Sequence, residues 1–216
     1  MKVNTDGVLL GAWANGAEAT SILDIGTGTG VIALMMAQKN LSATVHALDI
    51  DEGAFLQASE NFMQSIWSNR LSAFHSSLQL FHSTASYDLI VSNPPYFANS
   101  QQSPDHVKNA ARHQVSLNVS ELIQNIVRLM SASGKACLVL PCHMVSKLEA
   151  EISTAGLFIT ALMEVCAVAG KPPYLSLLQL QFAEQAYRKE SIAIQQPDSS
   201  FTEAYRQLTR DFYLKF

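Results

Sequence analysis

The chain has 216 residues with a formal net charge of −4, and 48% of its residues are hydrophobic while 15% are charged. This composition excludes an intrinsically disordered protein and suffices for one globular domain with a substantial core. A dedicated nucleic-acid binder is usually basic overall, so any such partner would have to be held by local basic patches.

The sequence carries none of the signals of a membrane or secreted protein. No apolar run approaches the roughly 18 to 20 residues that span a bilayer, and the opening residues do not have the pattern of a secretory signal. The three cysteines, Cys137, Cys142 and Cys166, lack CxxC spacing and are odd in number. They are predicted to be reduced core residues of a cytoplasmic protein without a metal site.

Strands alternate with helical segments along the chain, which is typical of a parallel α/β sheet. In chain order the pattern predicts a strand at 21–24, a helix at 31–38, a strand at 44–48, a helix at 52–64, strands at 73–76 and 87–92, a helix at 118–130, a strand at 136–140, a helix at 141–155, strands at 157–168 and 174–182, and a terminal helix at 201–216. The last two strands are expected to form an antiparallel hairpin. The predicted fold is therefore a seven-stranded, mostly parallel sheet in a single domain, residues 1–216, with an antiparallel last strand.

A glycine-rich string, DIGTGTG at residues 24–30, closes the first predicted strand and opens a helix. Glycines at such a turn permit positive φ angles and let a ligand approach the backbone closely. A dinucleotide-binding turn has the spacing GxGxxG, whereas Gly26, Gly28 and Gly30 alternate here behind Asp24. An acid at this place suits a ligand with cationic groups and no phosphate, which favours S-adenosylmethionine. A tight turn without a ligand is the alternative interpretation.

Asp49 ends the second predicted strand, 25 residues after Asp24. The carboxyl ends of neighbouring parallel strands face one ligand crevice. A carboxylate there can accept both hydroxyls of a ribose, so Asp49 is predicted to bind the cofactor. Asp51 and Glu52 follow closely, and their position favours stabilisation of a helix start instead.

The string NPPY at residues 93–96 follows the fourth predicted strand and should project over the same crevice. The Asn93 side-chain carbonyl and the Pro94 backbone carbonyl can accept the two N–H bonds of an unreactive, conjugated amine such as the 6-amino group of adenine. Tyr96 can stack on the base. We therefore predict that Asn93, Pro94 and Tyr96 carry the reaction, with no metal and no general base. An ordinary Pro-Pro strand terminator is the alternative.

Six strings together resemble the tRNA (adenine-N(6))-methyltransferase family that acts beside the anticodon of a valine tRNA. They are MKVNTDGVLLGAW, DIGTGTG, LDID, YDLIVSNPPYF, ARH and LTRDFYLKF, and the resemblance runs from end to end. It implies a Rossmann-like class I methyltransferase fold, S-adenosyl-L-methionine as cofactor and S-adenosyl-L-homocysteine as product. It also implies that Thr5, Asp6 and Leu10 lie near the methionine end of the cofactor.

The chain departs from this family at three places. The family carries further residues before the MKV string, so the N-terminal segment is interpreted as truncated relative to the family. The third strand ends in hydroxyls, Ser76 and Ser77, where an acid often binds the cofactor adenine, so that contact is expected from backbone groups or a serine. Tyr174 stands where a basic residue is expected, offering stacking in place of a phosphate contact.

Candidate contacts to the RNA lie around the NPPY string and among scattered cations. Pro95 and Phe97 flank the base-binding Tyr96, and Arg112 and His113 follow a polar segment. Further cations predicted to cluster on the face around Asn93 are Lys171, Lys2, Arg188, Lys189, Arg206, Arg210 and Lys215.

Rival functions are weighed against the same residues. A methyltransferase acting on a glutamine amide of a protein release factor also suits NPPY, but this chain has no residues to spare for the extra helical domain of those enzymes. A DNA adenine methyltransferase would need a target-recognition segment, and a nicotinamide oxidoreductase is disfavoured by the glycine spacing. A binding module without chemistry would be expected to have lost Asn93 or the glycines. The sequence leaves the particular tRNA, the particular adenine and the oligomeric state open, with a monomer favoured.

Overall fold

The computed structural model describes residues 4–94 and 119–213, which form an eight-stranded sheet covered by helices on both faces. The helices are α1 (Thr5–Trp13), α2 (Val31–Lys39), α3 (Glu52–Gln64), α4 (Val119–Leu129), α5 (Cys142–Thr154) and α6 (Glu203–Thr209). The strands are β1 (Ser21–Ile25), β2 (Thr44–Asp49), β3 (Leu71–His75), β4 (Tyr87–Ser92), β5 (Met130–Pro141), β6 (Phe158–Val168), β7 (Pro173–Gln181) and β8 (Arg188–Gln195).

The strand order is β3-β2-β1-β4-β5-β7-β6-β8. The first five strands in this order, β3, β2, β1, β4 and β5, run parallel. Strand β7 lies antiparallel between β5 and β6. This confirms the predicted mostly parallel sheet with an antiparallel seventh strand, to which β8 adds an eighth strand parallel to β6. After β3 the chain crosses to the other side of β1. The ends of β1 and β4 therefore flank the switch point at which open α/β sheets bind ligands.

Successive residues of the central strands point to opposite faces of the sheet, and both rows are apolar. On one face Ile22 and Val91 pack in a core with α1, α2 and Tyr205 of α6. On the other face Leu23 and Ile90 pack with α4 and α5. Two cores thus hold the central strands rigid and fix the loops that leave their carboxyl ends.

Most predicted elements are present, and α3 and β4 have the predicted bounds. Strand β3 begins two residues earlier than predicted. Strand β5 begins at Met130, not at residue 136, because Met130 already pairs with Tyr87 ahead of a register shift. The terminal helix was predicted from residue 201, but Phe201 pairs with Gln195 in a β-bridge, and the Thr202 hydroxyl caps a helix that ends at residue 209.

The sequence pattern indicates neither α1 nor β8. Every residue from Gly7 to Ala12 of α1 is buried, so no helical period is visible. The first half of β8, residues 188–191, is exposed and mostly charged at the edge of the sheet. Charged edges are a common protection against unwanted strand pairing, and they conceal the alternation that would predict a strand.

The cysteines are free thiols, with Cys137 buried in the core and Cys142 and Cys166 only half-buried. Of the helices that the structure describes, none has the length and apolar character needed to cross a membrane. Within residues 4–94 and 119–213, no group of at least three His, Cys, Asp or Glu side chains is arranged to hold a metal ion.

Candidate active site

The glycine-rich turn lies at the switch point, directly after β1. Gly26, Gly28 and Gly30 have φ angles of 72°, 58° and 81°, in the left-handed region that favours glycine. A Cβ on Gly30 would also lie 2.5 Å from Cε1 of Phe62, so α3 closes tightly on the end of the turn. A Cβ on Gly26 would meet nothing within 4 Å. The turn is therefore packed on the α3 side and open at Gly26, where a ligand has room to approach.

Two neighbouring elements hold the turn in place. The backbone N–H groups of Gly26 and Thr27 both donate to the Leu48 carbonyl at the end of β2, at 2.9 and 3.0 Å. The side-chain amide of Asn61 on α3 donates to the Thr29 carbonyl at 2.8 Å. These bonds fix the backbone in the shape that a ligand would meet.

Asp24 is fully buried beneath this turn. Its Oδ2 accepts from the Thr27 hydroxyl at 2.6 Å and from the Ala33 N–H at 3.2 Å. Its Oδ1 has no hydrogen-bond partner among the described residues. Burial, with a smaller contribution from the charge of Asp49, raises the pKa of the Asp24 carboxyl to about 7. A buried acceptor without a donor is rare in native proteins, so this oxygen is a candidate to accept from a group other than the described side chains.

Asp49 is half-buried at the end of β2 and faces the same turn. Its Oδ2 accepts from the Gly28 N–H at 2.8 Å, and its Oδ1 accepts from the Asp51 N–H at 3.0 Å. Each carboxylate oxygen has a second lone pair, so both remain able to accept from a diol. Asp51 caps α3 by accepting from the Ala54 N–H at 2.8 Å, and Glu52 lies in the first turn of that helix, as the sequence indicated.

Asn93 follows β4 at the other side of the switch point. The Ser92 hydroxyl donates to the Ile25 carbonyl at 2.9 Å, which ties the end of β4 to the start of the glycine-rich turn. The Asn93 amide N–H group donates to Oδ1 of Asn4 at 3.4 Å. This contact turns the Asn93 carbonyl oxygen away from Asn4, and the next residue, Pro94, is buried. Two motifs distant in sequence thus meet at one crevice.

Asn4 is a site residue that the sequence analysis missed. Its Oδ1 also accepts from the Gly7 N–H at 2.9 Å and so caps the N-terminus of α1. The only signal in the sequence is a residue type that favours helix N-caps, and the contact to Asn93 spans 89 positions. A Cβ on Gly7 would lie 3.0 Å from that oxygen, so the absence of a side chain there permits the contact.

Helix α1 contains the three residues that the resemblance places near the methionine end of the cofactor, and they differ in exposure. Thr5 is exposed and Asp6 half-buried at its N-terminus, whereas Leu10 is a core residue. The other end of the helix is held by the Lys39 ammonium, which donates to the carbonyls of Gly11, Ala12 and Ala14 at 2.6 to 3.1 Å. The sequence did not indicate this role for Lys39.

The hydroxyls after β3 make local bonds. Ser76 donates its hydroxyl to the Ser77 carbonyl at 3.0 Å, and its N–H donates to the Asp49 carbonyl at 3.0 Å. The Ser77 hydroxyl accepts from the Leu80 N–H at 3.3 Å. The exposed side chain of Ile50 follows Asp49 directly and adds an apolar surface at this end of the crevice.

The predicted cations are not equally available to a polyanion. Among the described residues, Lys189 pairs with Glu164 at 2.9 Å, Arg188 pairs with Glu190 at 3.0 Å and Arg210 pairs with Asp211 at 3.6 Å. Lys171 lies exposed in the turn between β6 and β7, and Arg206 lies exposed on α6. The predicted residues Pro95, Tyr96, Phe97, Arg112, His113, Lys2 and Lys215 lie outside the described residues.

A glycine-rich turn and an Asn-Pro pair on opposite sides of one switch point, within this sheet topology, define a methyltransferase of the Rossmann-like class. A family model described as Methyltransferase small domain matches residues 7–144. A tRNA1(Val) (adenine(37)-N6)-methyltransferase of Bacteroides fragilis is 39% identical over 218 residues, which cover 100% of this chain and 92% of the relative. One of the same description from Pseudoalteromonas translucida is 37% identical, with the same coverage of each chain. The chain belongs to this tRNA1(Val) (adenine(37)-N6)-methyltransferase family.

Solved structures share the fold at low sequence identity. Protein Atu636 of Agrobacterium tumefaciens, described as a predicted O-methyltransferase, superposes with a TM-score of 0.71 at 16% identity, covering 95% of this chain and 96% of that one. An O-methyltransferase of Brevibacillus brevis in complex with S-adenosyl-L-homocysteine has a TM-score of 0.58 at 14% identity, covering 81% and 70%. These likenesses establish the class of fold.

Proposed function

We propose that the protein transfers a methyl group from S-adenosyl-L-methionine to the exocyclic 6-amino group of an adenine in tRNA, namely the anticodon-loop adenine of a valine tRNA. The observation that carries the proposal is the placement of Asn93. It directly follows Ser92, whose hydroxyl ties the end of β4 to the Ile25 carbonyl at the start of the glycine-rich turn. Its amide N–H group is held by Asn4, which leaves the carbonyl oxygen to accept from an amine.

The residues around the turn fit the cofactor. The unpartnered Oδ1 of Asp24 requires a donor, and the ammonium of a methionine moiety supplies one, directly or through a water. Both oxygens of Asp49 retain an acceptor position for the ribose hydroxyls. The space around the Cα of Gly26 is open, so the cofactor can approach the backbone there, and Gly28 and Gly30 complete the turn. We place Asp6 near the methionine end because α1 carries it to this crevice. S-adenosylmethionine, when bound, supplies the electrophilic methyl group.

The reaction requires an adenine amine whose lone pair is drawn out of conjugation with the ring. The carbonyl oxygens of Asn93 and Pro94 accept its two N–H bonds, and this favours a pyramidal nitrogen with its lone pair directed at the methyl group. Pro94 has no N–H of its own to compete for these acceptors. The surplus proton leaves to water once the nitrogen is methylated, so no metal and no general base is required. We assign Tyr96 to stacking on the base, and its sequence neighbours Pro95 and Phe97 to further contacts with the RNA.

The substrate is proposed from the relatives. Their descriptions specify tRNA1(Val) and adenine 37, and an anticodon loop presents single-stranded bases that an enzyme can unstack. Arg112, His113 and Lys171 are assigned to the RNA backbone. We further propose that the chain acts in the cytoplasm as a monomer, and that residues 1–216 form one domain. A release-factor glutamine is the rival substrate because its amide presents the same two N–H groups.

The proposal is tested with tRNA from cells that lack this modification. The protein is incubated with that tRNA and labelled S-adenosylmethionine, the valine tRNA is isolated, and its nucleosides are analysed by mass spectrometry. The expected product is N6-methyladenosine in a valine tRNA, with free adenosine unmodified. Label in a release-factor peptide at a rate matching that of tRNA would overturn the proposal in favour of the rival substrate, and absence of label from every tRNA would also overturn it.

A further inference from the structure

An aromatic pocket of about 390 Å³ lies at the end of the sheet that carries the crevice. Its ring-bearing walls come from β7, from the bridge residue before α6, from α6 and from the residues after α6. The four aromatic side chains are Tyr174, Phe201, Tyr205 and Tyr213. Its polar lining includes Thr5 and Gln195. The volume falls within the range of small-molecule sites.

The rings have a buried base and exposed rims. Tyr205 is 2% exposed, its ring stacks on that of Phe201 with centroids 5.4 Å apart, and its hydroxyl lies 3.0 Å from the hydroxyl of Tyr213. In contrast, Tyr174 is 41% exposed and Phe201 and Tyr213 are each 37% exposed. Large aromatic surfaces gathered around a concavity and open to solvent are characteristic of a binding surface.

The pocket lies next to the proposed methyl-transfer crevice. Thr5 lines the pocket, and its neighbour Asn4 contacts Asn93. Tyr174 lies on β7, which is separated from β4 only by β5. Because neighbouring strands lie about 4.8 Å apart, the lateral separation of Tyr174 from Asn93 is on the order of 10 Å. A nucleotide next to one held at Asn93 is within reach of the pocket.

The charges at the pocket favour an uncharged ring over a phosphate. Burial, together with the nearby Asp6 carboxylate, raises the pKa of Tyr174, so a negative charge lies close to the pocket wall. A phosphate there would be repelled, whereas the face of a base would not. The amide of Gln195 and the hydroxyl of Thr5 provide donors and acceptors for the edge of a base. Lys171 lies outside, in the β6–β7 turn, where a backbone phosphate could be met.

We propose that the aromatic pocket binds a nucleobase that flanks the target adenine in the anticodon loop, so that two bases leave the stack together. The inference rests on the proposed function and extends it by a second base subsite. Stacking on aromatic side chains accepts any base, so the pocket adds affinity for an opened loop while the edge contacts set its preference.

The test begins with Tyr174, whose ring is exposed enough to be removed without a cavity in the core. Tyr174→Ala is expected to raise the KM for valine tRNA by about 5- to 100-fold. The kcat and the affinity for S-adenosylhomocysteine should stay unchanged, and Tyr174→Phe should behave as wild type because it keeps the ring. Tyr187→Ala removes an exposed tyrosine outside the pocket and serves as the matched control.

The second half of the test identifies the occupant. In the wild-type enzyme, an abasic nucleotide at one flanking position of the valine tRNA should raise the KM by the same factor as Tyr174→Ala does. In Tyr174→Ala, the same abasic tRNA should raise the KM no further. An unchanged KM in Tyr174→Ala would overturn the pocket assignment. So would a KM in Tyr174→Ala that is raised further by an abasic nucleotide at every flanking position. Equilibrium binding of the same RNAs is measured in parallel. An inactive preparation would count against the proposed function, and the binding data would still decide for or against the pocket.

Discussion

At the scale of the residue, Asp24 combines complete burial, one unpartnered oxygen and a pKa raised to about 7. Because the pKa in the folded protein lies above the unfolded value of 3.8, this group favours folding most below pH 4, and that contribution is lost as the pH rises through 7. A cationic ligand has the opposite preference, since it needs the ionised carboxylate. The residue therefore opposes stability at neutral pH, and in the proposed complex a cationic group of the cofactor would compensate for this.

The affinity for S-adenosylhomocysteine is accordingly expected to weaken about tenfold between pH 8 and pH 6, as protonation of a group with a pKa near 7 competes with binding. Titration calorimetry at both pH values measures this change. Asp24→Asn should bind more weakly and show no such pH dependence. The analogue 5′-methylthioadenosine, which lacks the amino-acid moiety, should bind the wild type equally at both pH values. A flat profile for S-adenosylhomocysteine in the wild type would contradict the role of Asp24.

Asn93 is expected to act on the amine and not on the cofactor. Asn93→Ala should lower kcat by about a hundredfold or more, as removal of a hydrogen bond made in the transition state does. The dissociation constant of S-adenosylhomocysteine should remain within about twofold of the wild-type value, because the lost hydrogen bond is made to the amine and not to the cofactor. Single-turnover kinetics and calorimetry give the two values. Asn69→Ala, at an exposed asparagine on the 3-10 helix before β3, is the matched control. Turnover that survives within a few-fold would refute the amine-activation argument.

At the scale of the element, α1 shows how a helix without a visible sequence period positions a site. Its interior is buried in the core, and side-chain hydrogen bonds add a specific contact at each of its two ends. Asn4 holds the N-terminus against Asn93, and Lys39 holds the C-terminus against α2. The contact of Asn4 thus links the placement of the helix N-terminus to the orientation of the Asn93 amide.

Lys39→Met tests this arrangement, because it keeps the apolar stem and removes the ammonium from two carbonyls of α1 and from that of Ala14, which follows the helix. We expect the free energy of unfolding to fall by about 1.5 to 3 kcal/mol, the range for hydrogen bonds to a charged group. Denaturant unfolding measures it. Lys147→Met, on the exposed side of α5, should change the value by less than about 0.5 kcal/mol. Equal effects of the two substitutions would show that Lys39 does not hold α1.

The elements that sequence analysis predicted are those whose burial follows a simple period or ends in a strong turn signal. Strand β4 is an apolar run halted by two prolines, and the glycine-rich turn has a spacing that one sequence suffices to interpret. Strand β8 begins with exposed charged residues, and its pairing with β6 is visible only in three dimensions. Contacts between distant positions are also the reason why one site residue was missed. Asp24, Asp49 and Asn93 belong to local motifs, whereas the role of Asn4 depends on a contact across 89 positions.

At the scale of the whole molecule, an acidic protein must hold a polyanion. The net charge of −4 repels a polyanion at long range, and three of the described cations, Arg188, Lys189 and Arg210, each already lie beside a carboxylate. Affinity for tRNA should therefore depend on base contacts at the crevice and the aromatic pocket more than on phosphates. This differs from proteins whose binding is dominated by counterion release.

The salt dependence of tRNA binding should accordingly be shallow. We expect a slope of log K against log salt concentration of about −2 to −4, corresponding to roughly three to five neutralised phosphates. Fluorescence anisotropy between about 50 and 200 mM salt, the range over which such slopes are separated, measures it. Lys171→Ala should reduce the slope by about 1, as expected for one lost phosphate contact. Lys189→Ala should leave it unchanged because that ammonium is already paired with Glu164. A wild-type slope near −10, as in strongly electrostatic binders, would mean that cations outside the described residues dominate recognition.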